Sequence, residues 1–432
     1  MIPFRYIDRT LAFIGFAFLI GSLDAILTTF DSTIGGADSA GNLKIQIFSM
    51  SIYVFSIFLI VHRLEKFLFL LSRNVLLILF LLLPAFSVFW SIAPDITARR
   101  AFALTGTMLF VSYVAIAFTP EQALRVLALS FGVTALVSLS FAIALPGMGT
   151  HEAGPYTGVW RGMFAHKNKL GGMMVLAAAT IIICPKYHKK EKVLGYLGAC
   201  ISLFLVVMSQ SKTALVILFA LIFSLPLIHW MSGRGLRTLE RVIFVLIIVF
   251  SCAIAVFQQK DTILEALGKD ATLTGRTETW LLAWNNVLEH PAFGHGYRVF
   301  WSDRSPARMA PVEGWRDKIS HSHNTYLDLA LDLGFVGSLA FLAILSLFIK
   351  RLFHRIRKQK DKINLWMFSF LFYMILSGIT ERSVLEQSDI VWAVFVLSYF
   401  HLSKISPAKK KPQDEESLVP TIRISHPSFG CR

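Results

Sequence analysis

The sequence predicts an all-α, polytopic membrane protein of about twelve transmembrane helices with one long outer loop. Three observations predict it. Hydrophobic residues make up 55% of the chain and charged ones only 16%, a balance foreign to soluble domains. Apolar runs of about 20 residues, enough to cross a bilayer, recur along most of the 432 residues. Lysine and arginine concentrate in alternate connectors, as the positive-inside rule requires. The same rule accounts for the net charge of +15 without a polyanionic partner, so no nucleic acid is implied.

The first apolar run, 11–30, follows Arg5 and Arg9. It is long, lacks a small-residue cleavage site and precedes further spans, so it is expected to be an uncleaved anchor. Spans are then expected at 45–61, 68–90, 101–118, 123–145, 170–184, 193–208, 214–230 and 242–257. After the polar stretch 258–323 come 327–349, 365–380 and 390–402. With the N-terminus inside, the inner connectors are 62–66, 119–125, 185–192, 232–241 and 350–362, plus the tail from Lys404. Outer connectors such as 31–43 and 91–98 carry no basic residue. Three outer segments break the rule: 146–169, the turn 209–213 and the long loop itself. The expected units are an N-terminal transmembrane bundle (1–160), a second transmembrane unit (161–403) that includes loop 258–323, and a disordered tail (404–432). The four cysteines have no zinc-type spacing and form no disulfide framework.

The long polar segment closes with His321-Ser322-His323-Asn324, just before an apolar run. An imidazole at the mouth of a span can take a proton from a hydroxyl near neutral pH. On spacing alone, His323 is equally well read as an interfacial or capping residue. His321 cannot share a helical face with it and ranks as the spare. Asp328 and Asp332 lie four apart on one helical face, either orienting a histidine or making structural hydrogen bonds. Arg276 opens an amphipathic segment and could present a planar fork to phosphate oxygens, although pairing with Glu278 is the plainer reading. Arg161, Lys167 and Lys212 would add positive charge at the same face, as a receptor for a phosphorylated group or for anionic head groups. His295, between Gly294 and Gly296, reads as part of a turn. Glu381 and Arg382, at the outer end of a span, are either a local ion pair or part of a cavity wall.

No nucleotide-binding, zinc-protease, serine-hydrolase or dinucleotide motif is present. Energy must therefore come from an activated membrane substrate or an ion gradient. No internal repeat of fixed period speaks for a duplicated transporter, yet a transporter of polysaccharide or lipid-linked sugar is the rival of another class.

Together the motifs resemble one family. His323-Asn324, nine residues, Gly334, two residues and Gly337 match the H-N-x9-G-x-x-G pattern of the O-antigen ligase and Wzy-type polymerase superfamily. Gly275-Arg276-Thr277-Glu278-x-Trp280 followed by His290-Pro291-x-x-Gly294-x-Gly296 resembles the long periplasmic loop of that family. Ser209-Gln210-Ser211-Lys212-Thr213 resembles its S-x-S-[RK]-[TG] turn. The stretch from Trp160-Arg161-Gly162 to His166-Lys167-Asn168 is similar to exopolysaccharide production proteins of the ExoQ type. The resemblance implies a metal-independent, cofactor-free glycosyltransferase at the periplasmic face of the inner membrane. Its substrate would be a glycan on undecaprenyl diphosphate, with flippase and chain-length regulator proteins as partners. It implies His323 as base or positioning residue and Arg276 as the diphosphate-binding catalytic cation. Substrate contacts would come from Arg161, Lys167, Lys212, Asn324 and Glu381. Lys212 stands where ligases commonly carry arginine, and a point charge there favours polymerisation of repeat units over ligation of O-antigen to lipid A core.

Overall fold

The computed structural model describes residues 2–22, 43–154, 156–231, 276–305, 321–359 and 361–403, with side chains from 6, up to 224 and again from 278. The expected span 242–257, the connector 232–241 and the tail lie outside these residues. Among the described residues the fold is all-α, with no strand beyond one isolated bridge, Thr150 to Trp160.

The helices used below are α1 (Ile2–Ile20), α2 (Leu43–Val61), α3 (Leu64–Ser72), α4 (Val75–Phe86), α5 (Pro94–Ala117) and α6 (Pro120–Ala144). They continue with α7 (Lys167–Ile183), α8 (Lys189–Met208), α9 (Lys212–Met231), α10 (Arg276–Glu289), α11 (Thr325–Lys358), α12 (Lys362–Gly378) and α13 (Ile390–Ser403). Five of them, α2, α5, α6, α8 and α11, are long and apolar enough to cross a membrane. Three shorter apolar helices, 212–224, Lys362–Gly378 and Ile390–Ser403, stand among them.

Local chemistry sets the helix starts. Proline occupies the first turn of α5 and α6, where its missing N–H costs nothing. Thr119 and Gln122 close a capping box on α6, and Asp361 caps α12 by accepting from Asn364 N–H at 2.7 Å. Every residue of α13 is buried, as expected for a helix apolar all round at the centre of a bundle. Its Trp392, Phe395 and Tyr399 pack on Phe80 of α4 and on Phe341 and Phe348 of α11. One apolar core runs from Ala12 to Leu402.

Three expected spans differ from the sequence reading. The run 11–30 does not continue as one helix: α1 starts earlier and closes at Ile20, with Gly21 at φ 88°. The run 68–90 is not one helix: α3 and the helical stretch Val75–Phe89 meet at 93°. The break falls at Asn74, whose amide donates to Leu70 O at 2.8 Å and to Ser403 Oγ at 2.9 Å. A polar side chain that bonds backbone and a neighbouring helix end makes the corner, which an apolar run conceals. The run 327–349 is also broken. Gly334, inside α11, has φ 64° and ψ −163°, a conformation that belongs to glycine.

Candidate active site

The break at Gly334 is built around the 290–296 segment. A broken helix leaves backbone groups unpaired, which an apolar setting penalises unless other protein groups meet them. Here His295 N–H donates to Leu331 O (2.8 Å) and Gly296 N–H to Asp332 O (3.1 Å). In return, Phe335 N–H donates to Pro291 O (2.7 Å) and Val336 N–H to Ala292 O (3.1 Å). A Cβ on Gly334 would lie 2.3 Å from Ala292 O, and one on Gly294 would lie 2.5 Å from Leu331 O. The two glycine motifs are thus two halves of one joint. His295 sits in this turn, buried, against His290 and Phe300, and burial lowers its pKa.

The segment after the joint is a plug rather than a solvated loop. Tyr297, Val299 and Phe300 are fully buried. Tyr297 hydroxyl donates to Leu385 O, and its N–H donates to Ser87 Oγ at 2.9 Å. Ala283 and Val287 of α10 pack with Phe300, Trp301, Ala330 and Leu331, so α10 lies against the first turns of α11.

That packing brings α10 to the histidine loop. Trp280 Nε1 donates to Ser322 O at 2.9 Å. Arg276 is the first residue of α10, one turn before Trp280, about 6 Å along the helix axis; its side chain lies outside the described residues.

His323 itself is held at φ 54°, uncommon for a residue with a β-carbon. This folds its N–H onto His321 Nδ1 at 3.1 Å and sets the two rings edge to face at 4.0 Å. His321, the expected spare, is therefore a direct neighbour, because the pair lies on a turn and not on a helix. Burial first, then the His323 charge, lowers the His321 pKa to about 3, so it is neutral near pH 7. His323 Nδ1 stands 3.9 Å from Glu381 Oε2. Thr325 hydroxyl donates to Glu381 O at 2.9 Å and accepts from Ser383 N–H at 2.8 Å, stapling the 381–383 turn to the start of α11. Asn324 caps α11 through its side-chain oxygen, which accepts from Tyr326 and Leu327 N–H.

Asp328 and Asp332 have structural partners. Asp328 Oδ1 accepts from Trp301 Nε1 at 2.8 Å and from Ser322 N–H at 3.1 Å, so it fixes the backbone between the histidines and not an imidazole. Asp332 pairs with Arg382, whose guanidinium also faces Asp328 at 3.9 Å and Glu386 at 3.1 Å. Burial alone would lower the Arg382 pKa; Asp332, Asp328 and Glu386 outweigh it and raise it. Arg298 adds a second pair to Glu386. Arg382 and Glu381 thus turn opposite ways, one into the scaffold and one toward His323.

The remaining expected residues flank this point. Lys167 opens α7, its ammonium 3.4 Å from Gln210 O. Lys212 is exposed at the start of α9, and Ser211 hydroxyl donates to Asn168 Oδ1 at 3.1 Å. Arg161 is half-buried on the connector before α7, with N–H donated to Gly149 O. A cleft lined by Asn168, Lys169, Thr213, Tyr373, Glu381 and Asp389 joins the two turns. Its Lys169–Asp389 ion pair, 2.7 Å, escaped the sequence reading; a lone aspartate before a span gives no signal of a lysine 220 positions away.

His321, His323 and Glu381 bring one ligand atom each within 4.8 Å of one another, close enough to share a metal ion. With Nδ1 of His321 accepting the His323 N–H, however, the neutral ring carries its proton on Nε2, and neither nitrogen offers a lone pair. The set then has two donors, below the three protein ligands of a catalytic zinc site.

Comparison with known proteins agrees with this layout. Residues 197–342 match the O-antigen ligase family model, which spans the 209–213 turn, α10, the 290–296 segment and the His323 loop. Over 350 residues the chain is 25% identical to the exopolysaccharide production protein ExoQ of Rhizobium meliloti, covering 77% of each protein. Residues 197–342 are thus similar to the O-antigen ligase family and the chain more widely to an exopolysaccharide production protein, which is the resemblance read from its motifs.

Proposed function

We propose that this chain polymerises oligosaccharide repeat units carried on undecaprenyl diphosphate, at the periplasmic face of the inner membrane, within a fold of about twelve spans. One observation carries the reading: Trp280 of α10 bonds the backbone of Ser322, which holds the helix that Arg276 opens against the His323 loop, although 47 positions separate the two residues. In the reaction the acceptor hydroxyl attacks the anomeric carbon of the donor. A new C–O bond forms, the bond to the diphosphate breaks, and undecaprenyl diphosphate leaves. His323 takes the hydroxyl proton on the nitrogen that faces away from Glu381, and Glu381 at 3.9 Å stabilises the imidazolium that results. Neutral His321 puts no cation beside it. Arg276, at the start of α10, meets the charge developing on the diphosphate. Lys167, Lys212, Arg161 and Asn324 are assigned to substrate contact at the same mouth.

Ligation of polymer to a lipid A core acceptor is the second reading, favoured by the description of the matching family. A deletion strain distinguishes the two. Loss of high-mass exopolysaccharide with intact lipopolysaccharide supports the polymerase, and core lacking O-chain supports the ligase. His323→Ala and Arg276→Ala are each expected to abolish product at unchanged protein level in the membrane. Normal product from either variant would remove that residue from the reaction.

A further inference from the structure

Three rings meet on the connector before α7. His151 and His166 have centroids 5.2 Å apart, and Tyr156 lies 5.8 Å from the first and 5.5 Å from the second. Lys167 Nζ stands 4.3 Å from the Tyr156 ring centroid. All three ring residues are half-buried, so the group forms part of the surface instead of closing into a core.

The backbone fixes both imidazoles. His151 Nε2 accepts from Lys167 N–H and His166 Nδ1 accepts from Asn168 N–H, each at 3.2 Å. Each neutral ring therefore carries its proton on the other nitrogen, Nδ1 of His151 and Nε2 of His166. Among the described residues neither N–H finds an acceptor. Burial, with Lys167 and Arg161 behind it, lowers the His151 pKa, and burial with His151 lowers that of His166. Both rings are thus kept as neutral donors and not as cations. Packing alone does not call for two polar edges left outward. A sugar ring fits both features: its C–H face lies on an aromatic ring, and its hydroxyls accept the two N–H groups.

The cluster adjoins the reaction centre. His166 caps α7, and Asn168 and Lys169 in the first turn of α7 line the cleft shared with Glu381. We propose that His151, Tyr156 and His166 form a sugar-binding subsite that holds a residue of the oligosaccharide acceptor while its hydroxyl is presented to His323. This rests on the glycosyl-transfer reading above.

The test uses the full-length protein in lipid nanodiscs. The probe is the repeat-unit oligosaccharide released from the host strain's own polymer, with binding followed by calorimetry and folding by thermal melting. Tyr156→Ala is expected to weaken binding about tenfold, equivalent to about 1.4 kcal/mol, while Tyr156→Phe, which keeps the ring, binds as the parent does. Tyr156→Leu keeps apolar bulk without the ring and serves should the alanine variant misfold; it too is expected to bind weakly. His323→Ala is expected to bind the probe normally. If it also makes polymer, the catalytic assignment fails and the subsite stands. Parent-like binding by folded Tyr156→Ala or Tyr156→Leu overturns the subsite.

Discussion

His323 shows how much one residue's surroundings decide. Its type and its place beside a span are legible in the sequence, but its two nearest chemical partners are not. His321 was set aside because residues two apart diverge on a helix; the left-handed turn at His323 brings their rings together instead. Glu381 was legible as a polar residue at a span end, and only the Thr325 staple tells which way it faces. The half-buried His321 makes a pH prediction. Its pKa falls from 6.5 to about 3 on folding, so between these values the unfolded chain binds the proton and the folded one does not. The sign follows: stability is full above pH 6.5 and declines as pH falls, by up to about 1.4 kcal/mol per pH unit from this group. Melting of purified protein between pH 7.5 and 5 should show that slope. His321→Gln, which retains an acceptor for the His323 N–H but cannot titrate, should make it shallower. A residual slope is expected from His151, His166 and His295, also lowered. An unchanged slope would place the acid sensitivity elsewhere.

At the scale of elements, apolar run length found most helices but missed the stop at Gly21 and two corners. Both α3–α4 and α11 read as uninterrupted apolar runs because the residues that break them, Asn74 and Gly334, act through partners distant in sequence. The spacing H-N-x9-G-x-x-G was visible as a pattern, and its physical reason was not. Gly334→Ala tests that reason. A β-carbon there meets Ala292 O at 2.3 Å in a backbone conformation that costs about 1–3 kcal/mol without glycine. Protein recovered from membranes should fall severalfold, and the thermal midpoint of what remains should drop. A variant as stable as the parent would show that the joint relaxes freely.

For the whole molecule, counting charges sorts the connectors into two sets, and several contacts join members of the same set. Arg63 pairs with Asp8 at 2.7 Å and Arg125 lies over Tyr187 at 4.2 Å, all among segments expected inside. Trp90 donates to Phe293 O, Ile92 N–H to His295 O and Lys167 Nζ to Gln210 O, all among segments expected outside. With the four native cysteines replaced, a cysteine at Thr157 should react with an impermeant maleimide in intact cells. A cysteine at Tyr187 should react only after permeabilisation, and the reverse pattern would invert the orientation and remove the periplasmic site. The joint at Gly334 also bears on how such chains diverge. Because four reciprocal backbone bonds unite 290–296 with 331–336, neither piece can be grafted between relatives without the other. Exchange of one alone would strand amides and carbonyls in a nonaqueous interior, so the two are expected to be inherited as a single module.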